Sequence, residues 1–272
     1  HCCTIGDSMT KLKIGDEQFI NYEFIENAGK PVLVFSNSLG SDLTMWDPQV
    51  EYFRNDFQIV RYDKRGHGNS SPFEGPYSFD MLENDVIKIL DELKINKANF
   101  IGLSMGGMTS IGLALRHPGR FDKMVCCAAR ADMPPPAIEA WDQRIAVVKE
   151  KGTDGVVQGS LERWFSESFM KETSNENIIK KASEMIRKTS VNGYVGSCEA
   201  IKKLNYLREI GKVKNDFLFV SGEKDVGAPA LAMEEMHHLT PNSKYICITD
   251  VAHVFNLEKP NEVNKILAEF LS

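Results

Sequence analysis

From Leu12 to Glu26 apolar and polar residues alternate around Gly15-Asp16, the period-two pattern of a short two-stranded hairpin. Alternation then gives way to six short apolar runs: Val32 to Phe35, Gln58 to Tyr62, Ala98 to Leu103, Lys123 to Ala128, Phe217 to Val220 and Lys244 to Ile248. Strands covered on both faces read this way, because neither side of the pleat meets water. Helix-period segments lie between most of them. Phe79 to Leu93 keeps its apolar residues on one face, Ser104 to Arg116 follows a strand directly, and Glu258 to Leu271 closes the chain. Strand alternating with helix predicts an α/β protein, a mostly parallel sheet of about eight strands with helices on both faces.

The alternation fails between Asp132 and about Gly211. Pro134-Pro135-Pro136 ends one element there, and a long, charged, helix-period stretch follows without a clear strand. Roughly eighty residues far exceed a single crossover, so this stretch is read as a helical cap. The expected organisation is a core built from residues 9–131 and 212–272 with a cap at 132–211 inserted into it. No internal repeat or low-complexity segment interrupts this plan.

Composition narrows the function classes. With 42% hydrophobic and 26% charged residues the chain reads as an ordinary globular protein, and no apolar run approaches the ~18 residues of a membrane span. A formal charge of −6 without a clustered Lys/Arg face argues against nucleic acid as a partner. It also means that an anionic substrate would need a local cation. Six cysteines are scattered along the chain. Cys126, Cys127 and Cys247 sit in apolar strand-like runs, where thiols pack as small hydrophobes, so a reducing cytoplasm is the expected setting. Residues 1–8, with Cys2 and Cys3, lack the basic and apolar regions of a secretory signal and read as an unstructured leader remnant before Met9.

The strongest chemical signal is Gly102-Leu103-Ser104-Met105-Gly106, a G-x-S-x-G that follows the apolar run Phe100-Ile101 and precedes a helical pattern. A sharp strand-to-helix turn brings neighbouring backbones together, so side chains at Gly102 and Gly106 would clash, while the Ser104 hydroxyl is pushed out over the sheet. The Met105 N–H is then left at a helix N-terminus, where it can stabilise a developing oxyanion. The turn after Val32 to Phe35, Ser36-Asn37-Ser38-Leu39-Gly40, offers small residues and free backbone for the second donor, and Leu39 is nominated.

A serine hydroxyl is a poor nucleophile at neutral pH and requires a histidine base held by an acid. His253 follows the last predicted strand and Asp225 the one before it, which places both at the carboxyl edge of a parallel sheet. Alone, each reads as an ordinary loop histidine or a turn carboxylate. The chain order Ser, Asp, His at successive strand ends makes them the candidate base and its partner, with Asp132 as the rival acid. His67 and His117 precede Gly68 and Pro118 in apparent turns, and His237-His238 read as solvated on a helix. No paired metal-ligand spacing is present, and no cofactor is expected.

These residues resemble the α/β-hydrolase superfamily over nearly the whole chain, from about Lys11 to Leu271. Besides the elbow, Asp63-Lys64-Arg65-Gly66-His67-Gly68-Asn69-Ser70 resembles that superfamily's D-x-R-G-x-G-x-S loop, and Leu257-Glu258-Lys259-Pro260 resembles the stretch after its histidine. Many members carry His-Gly where this chain has Asn37-Ser38. The loop Ser36 to Gly40 with Met45-Trp46-Asp47-Pro48-Gln49, and the run Gly102 to Met108, are similar to those of 3-oxoadipate enol-lactonases. Trp141 with Arg144-Ile145, Arg163-Trp164-Phe165, and Gly193-Tyr194 with Cys198 and Ala200-Ile201 resemble the cap of that family.

The resemblance implies ring opening of a small enol-lactone with an acetate arm to 3-oxoadipate, a step of the β-ketoadipate pathway of aromatic degradation. Ser104 would attack, His253 would take the proton, and the N–H groups of Leu39 and Met105 would hold the oxyanion. Arg144, beside Trp141, is the first choice for the substrate carboxylate and Arg130 the second. Trp141 and Trp164 would pack and line the pocket wall. The elbow is shared with carboxylesterases, perhydrolases and carbon–carbon bond hydrolases, and a non-catalytic binding protein on the same frame is a further alternative. Epoxide hydrolases and dehalogenases use an aspartate nucleophile, against which Ser104 argues.

Overall fold

In a computed structural model the described residues are 9–272, so the expectations for residues 1–8, Cys2 and Cys3 fall outside them. The N-terminal alternation forms the hairpin, β1 Met9–Lys13 and β2 Phe19–Ile25, paired antiparallel. Next come β3 Val32–Ser36, α1 Asp47–Phe53, β4 Gln58–Tyr62 and α2 Phe79–Glu92. They are followed by β5 Ala98–Leu103, α3 Met105–Arg116 and β6 Phe121–Cys127. Helices α4 Pro135–Lys151, α5 Val157–Trp164, α6 Glu167–Lys171, α7 Glu176–Lys188 and α8 Val191–Lys202 separate β6 from β7 Phe217–Gly222. The chain ends with α9 Ala230–Leu239, β8 Ser243–Ile248, α10 Phe255–Glu258 and α11 Pro260–Leu271.

The strands form one eight-stranded sheet in the order β1-β2-β4-β3-β5-β6-β7-β8, parallel from β4 through β8. Its centre explains the unbroken apolar runs: every residue of β3, β5 and β7 is buried, between helices on both faces. The order reverses at β3, which sends the chain first to β4 and then to β5 on the opposite side. A crevice opens at such a reversal, beyond the carboxyl ends of the strands, and chemistry in open α/β sheets collects there.

One sequence expectation needs correction. Cys247 lies in β8, which pairs only with β7 at the sheet edge and is half open, so this thiol is exposed while Cys126, Cys127 and Cys198 are buried. The closing helical segment forms α11, which begins at Pro260 because Lys259 leaves helical geometry (φ −134°, ψ 67°) and separates it from α10. Among the described residues no helix is long and apolar enough to cross a membrane.

Buried ion pairs tie the layers together. Arg65 holds Asp85 of α2 through two nitrogens at 2.6 and 2.9 Å. Glu83 of α2 accepts from Arg116 of α3 and, at 2.7 Å, from the Tyr206 hydroxyl beyond α8. Gly112 makes room for that carboxylate: a Cβ there would lie 2.4 Å from it.

Candidate active site

The nucleophile candidate sits on the turn from β5 into α3. Ser104 has φ 58° and ψ −114°, a strained backbone for a residue with a side chain. Its flanking glycines are required by close approach. A Cβ on Gly102 would lie 1.9 Å from the Gly106 carbonyl oxygen, and one on Gly106 would lie 2.1 Å from that of Ser36. The turn is fastened by Ser104 N–H to the Cys127 carbonyl (2.7 Å) and Gly106 N–H to that of Asn37 (3.1 Å). Asn37 is thus a buried brace, which also accepts from the Trp46 indole and donates to the Tyr62 carbonyl.

Asp225 follows β7 and His253 follows β8, and the two meet: His253 Nδ1 is 2.7 Å from Asp225 Oδ2. The carboxylate accepts only, so Nδ1 carries the hydrogen and Nε2 is left with its lone pair. Asp225 Oδ1 is occupied by the N–H groups of Gly227 and Ala228, which hold the carboxylate in place. Gly222 lets the two loops touch, since a Cβ there would be 2.0 Å from the Ala252 carbonyl oxygen. The rival acid Asp132 lies elsewhere, in a bridge with Asn205 and 3.5 Å from Arg130.

The His253 loop is held from the helices between β6 and β7. The Trp164 carbonyl accepts from both His253 N–H (3.1 Å) and Val254 N–H (3.0 Å). Glu258 accepts from Ala252 N–H on one side and from the Ser166 N–H and hydroxyl on the other.

Ser104, Asp225 and His253 line one cavity of about 320 Å³, roofed by α4, α5 and α8 through Trp141, Trp164 and Tyr194. That size suits a small molecule. No hydrogen bond joins Ser104 Oγ to His253; contacts of this kind tighten when substrate is bound. Among the described residues neither the Leu39 nor the Met105 N–H has an acceptor in the protein, whereas the next loop amide, Gly40 N–H, is taken by His67.

All four nominated substrate contacts, Arg144, Trp141, Arg130 and Trp164, line this cavity, and their surroundings separate them. Arg130 faces the Asp132 carboxylate. Arg144 lies over the Trp141 ring, 4.1 Å from its centroid, with the Tyr194 hydroxyl as a further neighbour and no carboxylate in ion-pair range among the described residues. Arg163, which drew attention in the sequence only as part of a resemblance, is a second such guanidinium. It reaches the Ser160 hydroxyl at 3.3 Å, has no carboxylate in ion-pair range among the described residues, and is pushed below its ordinary range by burial and by the Arg144 charge, against a weaker pull from Glu162. Its spacing of nineteen residues from Arg144 carries no periodic signal, so only the fold, which brings α4 and α5 to one cavity, brings it forward.

His67 lies in the turn the sequence suggests. It is fully buried, with Nδ1 bonded to the Arg65 carbonyl and Nε2 accepting from Gly40, and burial holds it neutral. His237 is half-buried and bonded to Ser243, while His238 is exposed. Among the described residues no cluster of His, Cys, Asp or Glu is placed to hold a metal ion.

Residues 31–260 match the model of a family described as having the alpha/beta hydrolase fold. The chain is 33% identical over 249 residues, 90% of each chain, to 3-oxoadipate enol-lactonase 2 of Acinetobacter baylyi. An enol-lactonase structure from Burkholderia xenovorans LB400 superposes with a TM-score of 0.89 at 33% identity, covering 93% of this chain and 96% of that one. A hydrolase from Pseudomonas aeruginosa PA01 gives 0.92 at 29% identity, covering 98% and 99%.

Proposed function

The chain belongs to the alpha/beta hydrolase fold family, and from that premise we propose that it opens 3-oxoadipate enol-lactone to 3-oxoadipate through an acyl-enzyme on Ser104. The observation that carries this choice is the pair Arg144 and Arg163, two guanidiniums with no carboxylate in ion-pair range among the described residues, facing the cavity that Ser104 lines. A cavity built for neutral esters gains nothing from two half-buried cations, whereas an anionic lactone supplies a partner for them. The likeness to enol-lactonases at 33% identity supports the same choice.

In this reading the helices at 132–211 act as a cap that shapes the substrate site. Ser104 Oγ attacks the lactone carbonyl carbon while His253 Nε2 takes its proton. Negative charge builds on the carbonyl oxygen between the N–H groups of Leu39 and Met105, and Asp225 stabilises the imidazolium. The ring carbon–oxygen bond then breaks. The enol leaves with a proton from His253 and ketonises, still tethered by its carbon chain. Water, giving a proton to His253, attacks the acyl carbon; the bond to Ser104 breaks, the serine recovers its proton, and a dicarboxylate is released. Buried free thiols at Cys126, Cys127 and Cys198 support a reducing setting such as the cytoplasm.

The decisive assay follows the loss of enol-lactone ultraviolet absorbance in wild type and Ser104→Ala. A specificity constant well above that for 4-nitrophenyl acetate, abolished in the variant, is the expected result. A rate no better than with the aryl ester would remove the lactonase assignment and leave a general esterase.

A further inference from the structure

Behind the loop that carries Leu39 lies a buried lysine that the proposed mechanism does not use. Lys64 is 3% exposed and has no carboxylate within ion-pair distance among the described residues. Its Nζ donates to the Ser38 carbonyl oxygen at 2.8 Å. The same oxygen accepts from the Ser41 hydroxyl at 2.8 Å and the Ser41 N–H at 3.3 Å. An ammonium taken out of water without a direct ion-pair partner opposes folding, and burial pushes Lys64 down to about 7 against the opposing pull of the Asp63 and Asp42 charges. Satisfying the Ser38 carbonyl does not require it, since Ser41 already supplies two donors.

The peptide plane shows what the lysine does. Ser38 C=O and Leu39 N–H belong to one trans peptide, so fixing the oxygen on one side fixes the N–H on the other. Ser38 and Leu39 both line the cavity. The next amide, Gly40 N–H, is held by His67 Nε2 at 3.0 Å, and Asp63 Oδ1 takes Leu43 N–H at 2.8 Å. The segment after β4 therefore grips the loop after β3 at three points and leaves the Leu39 N–H unclaimed. A cation on the carbonyl also polarises the amide, which makes its N–H a stronger donor.

We propose that Lys64 is a positioning residue for oxyanion stabilisation, fixing and polarising the Ser38–Leu39 peptide so that Leu39 N–H meets the tetrahedral oxygen formed at Ser104. This rests on the reading of Ser104 as nucleophile and Leu39 as oxyanion donor. A role in the folded scaffold alone predicts the opposite sign for folding, because removing the lysine would then loosen the loop.

The test compares wild type with Lys64→Met, using 4-nitrophenyl acetate for kcat and KM, phenylboronic acid as a tetrahedral adduct of the serine, and urea unfolding. The variant is expected to unfold at an equal or higher urea midpoint with KM nearly unchanged. Its kcat and boronic acid affinity should fall together by about tenfold to a hundredfold, less than the ~10²–10³ that follows loss of an oxyanion donor itself. Unchanged kcat and boronic acid affinity would overturn the proposal and leave the serine reading intact. Lys64→Met that unfolds or melts early would overturn it too, by assigning the ammonium to the scaffold. Wild type that ignores phenylboronic acid would instead remove the serine reading, and the proposal with it.

Discussion

His253 Nδ1 stands 2.7 Å from Asp225 Oδ2, and the second oxygen of that carboxylate is held by two backbone N–H groups, so the imidazole has one orientation and one tautomer available. Asp225→Asn keeps the shape and puts an amide where the acceptor was. We expect kcat to fall by a factor on the order of 10⁴, as happens when the carboxylate of such an arrangement is neutralised. Folding, followed by urea unfolding, should change little by comparison. Loss of less than tenfold in kcat would assign His253 another partner.

The backbone at Ser104 is strained in a way that can be weighed. At φ 58° and ψ −114° a side chain is disfavoured and glycine is not. Strain of this kind amounts to about 1–3 kcal/mol, against an entropic cost of ~0.5–1 kcal/mol for introducing glycine. Ser104→Gly should therefore be more stable than Ser104→Ala by about 1 kcal/mol in urea unfolding, the left-handed strain being relieved. A less stable glycine variant would mean that the turn carries no strain.

Arg144 and Arg163 should discriminate by substrate charge. A hydrogen bond to a charged group contributes ~1.5–3 kcal/mol, so Arg144→Gln and Arg163→Gln should each raise KM for the carboxylated lactone by about tenfold or more. KM for 4-nitrophenyl acetate should stay near the wild-type value. Arg130→Gln should affect both substrates weakly, since Asp132 already faces that guanidinium. Equal losses on charged and uncharged substrates would show that these arginines shape the pocket rather than bind the anion.

Lys64 gives stability a pH signature. Its value is lowered from 10.5 to about 7 in the folded chain, so between these limits the unfolded chain binds the extra proton. Stability from this site is complete above the unfolded value and is lost as pH falls through about 7. Lys64→Met should accordingly exceed wild type in urea resistance most below pH 7, and the gap should close toward pH 10. A gap independent of pH would show that the lysine is solvated.

Much of this arrangement was legible in the sequence, for identifiable reasons. Central strands are buried on both faces, so β3, β5 and β7 appear as unbroken apolar runs. Ser104 announces itself through glycines that close approach requires on either side. Asp225 and His253 follow from chain order. What stayed hidden depends on three-dimensional surroundings. Lys64 and His67 look like surface turn residues, because charge and a neighbouring glycine ordinarily mean exposure, and only the fold buries them beneath the Ser38–Gly40 loop. Cys247 misled for the converse reason, since an apolar run at a sheet edge resembles one at its centre. Arg163 faces the cavity with no carboxylate in ion-pair range among the described residues, although Glu162 precedes it in the chain, and no linear pattern records that.

The Trp164 carbonyl links two properties usually considered apart. It belongs to the wall that shapes what enters, and it also seats the backbone of His253 and Val254. Substitutions that reshape this wall therefore act on the seat of His253 as well. Under the proposed function, a new specificity is reached through α4, which lines the cavity through Trp141 and Arg144, whereas remodelling at the end of α5 would trade selectivity against turnover.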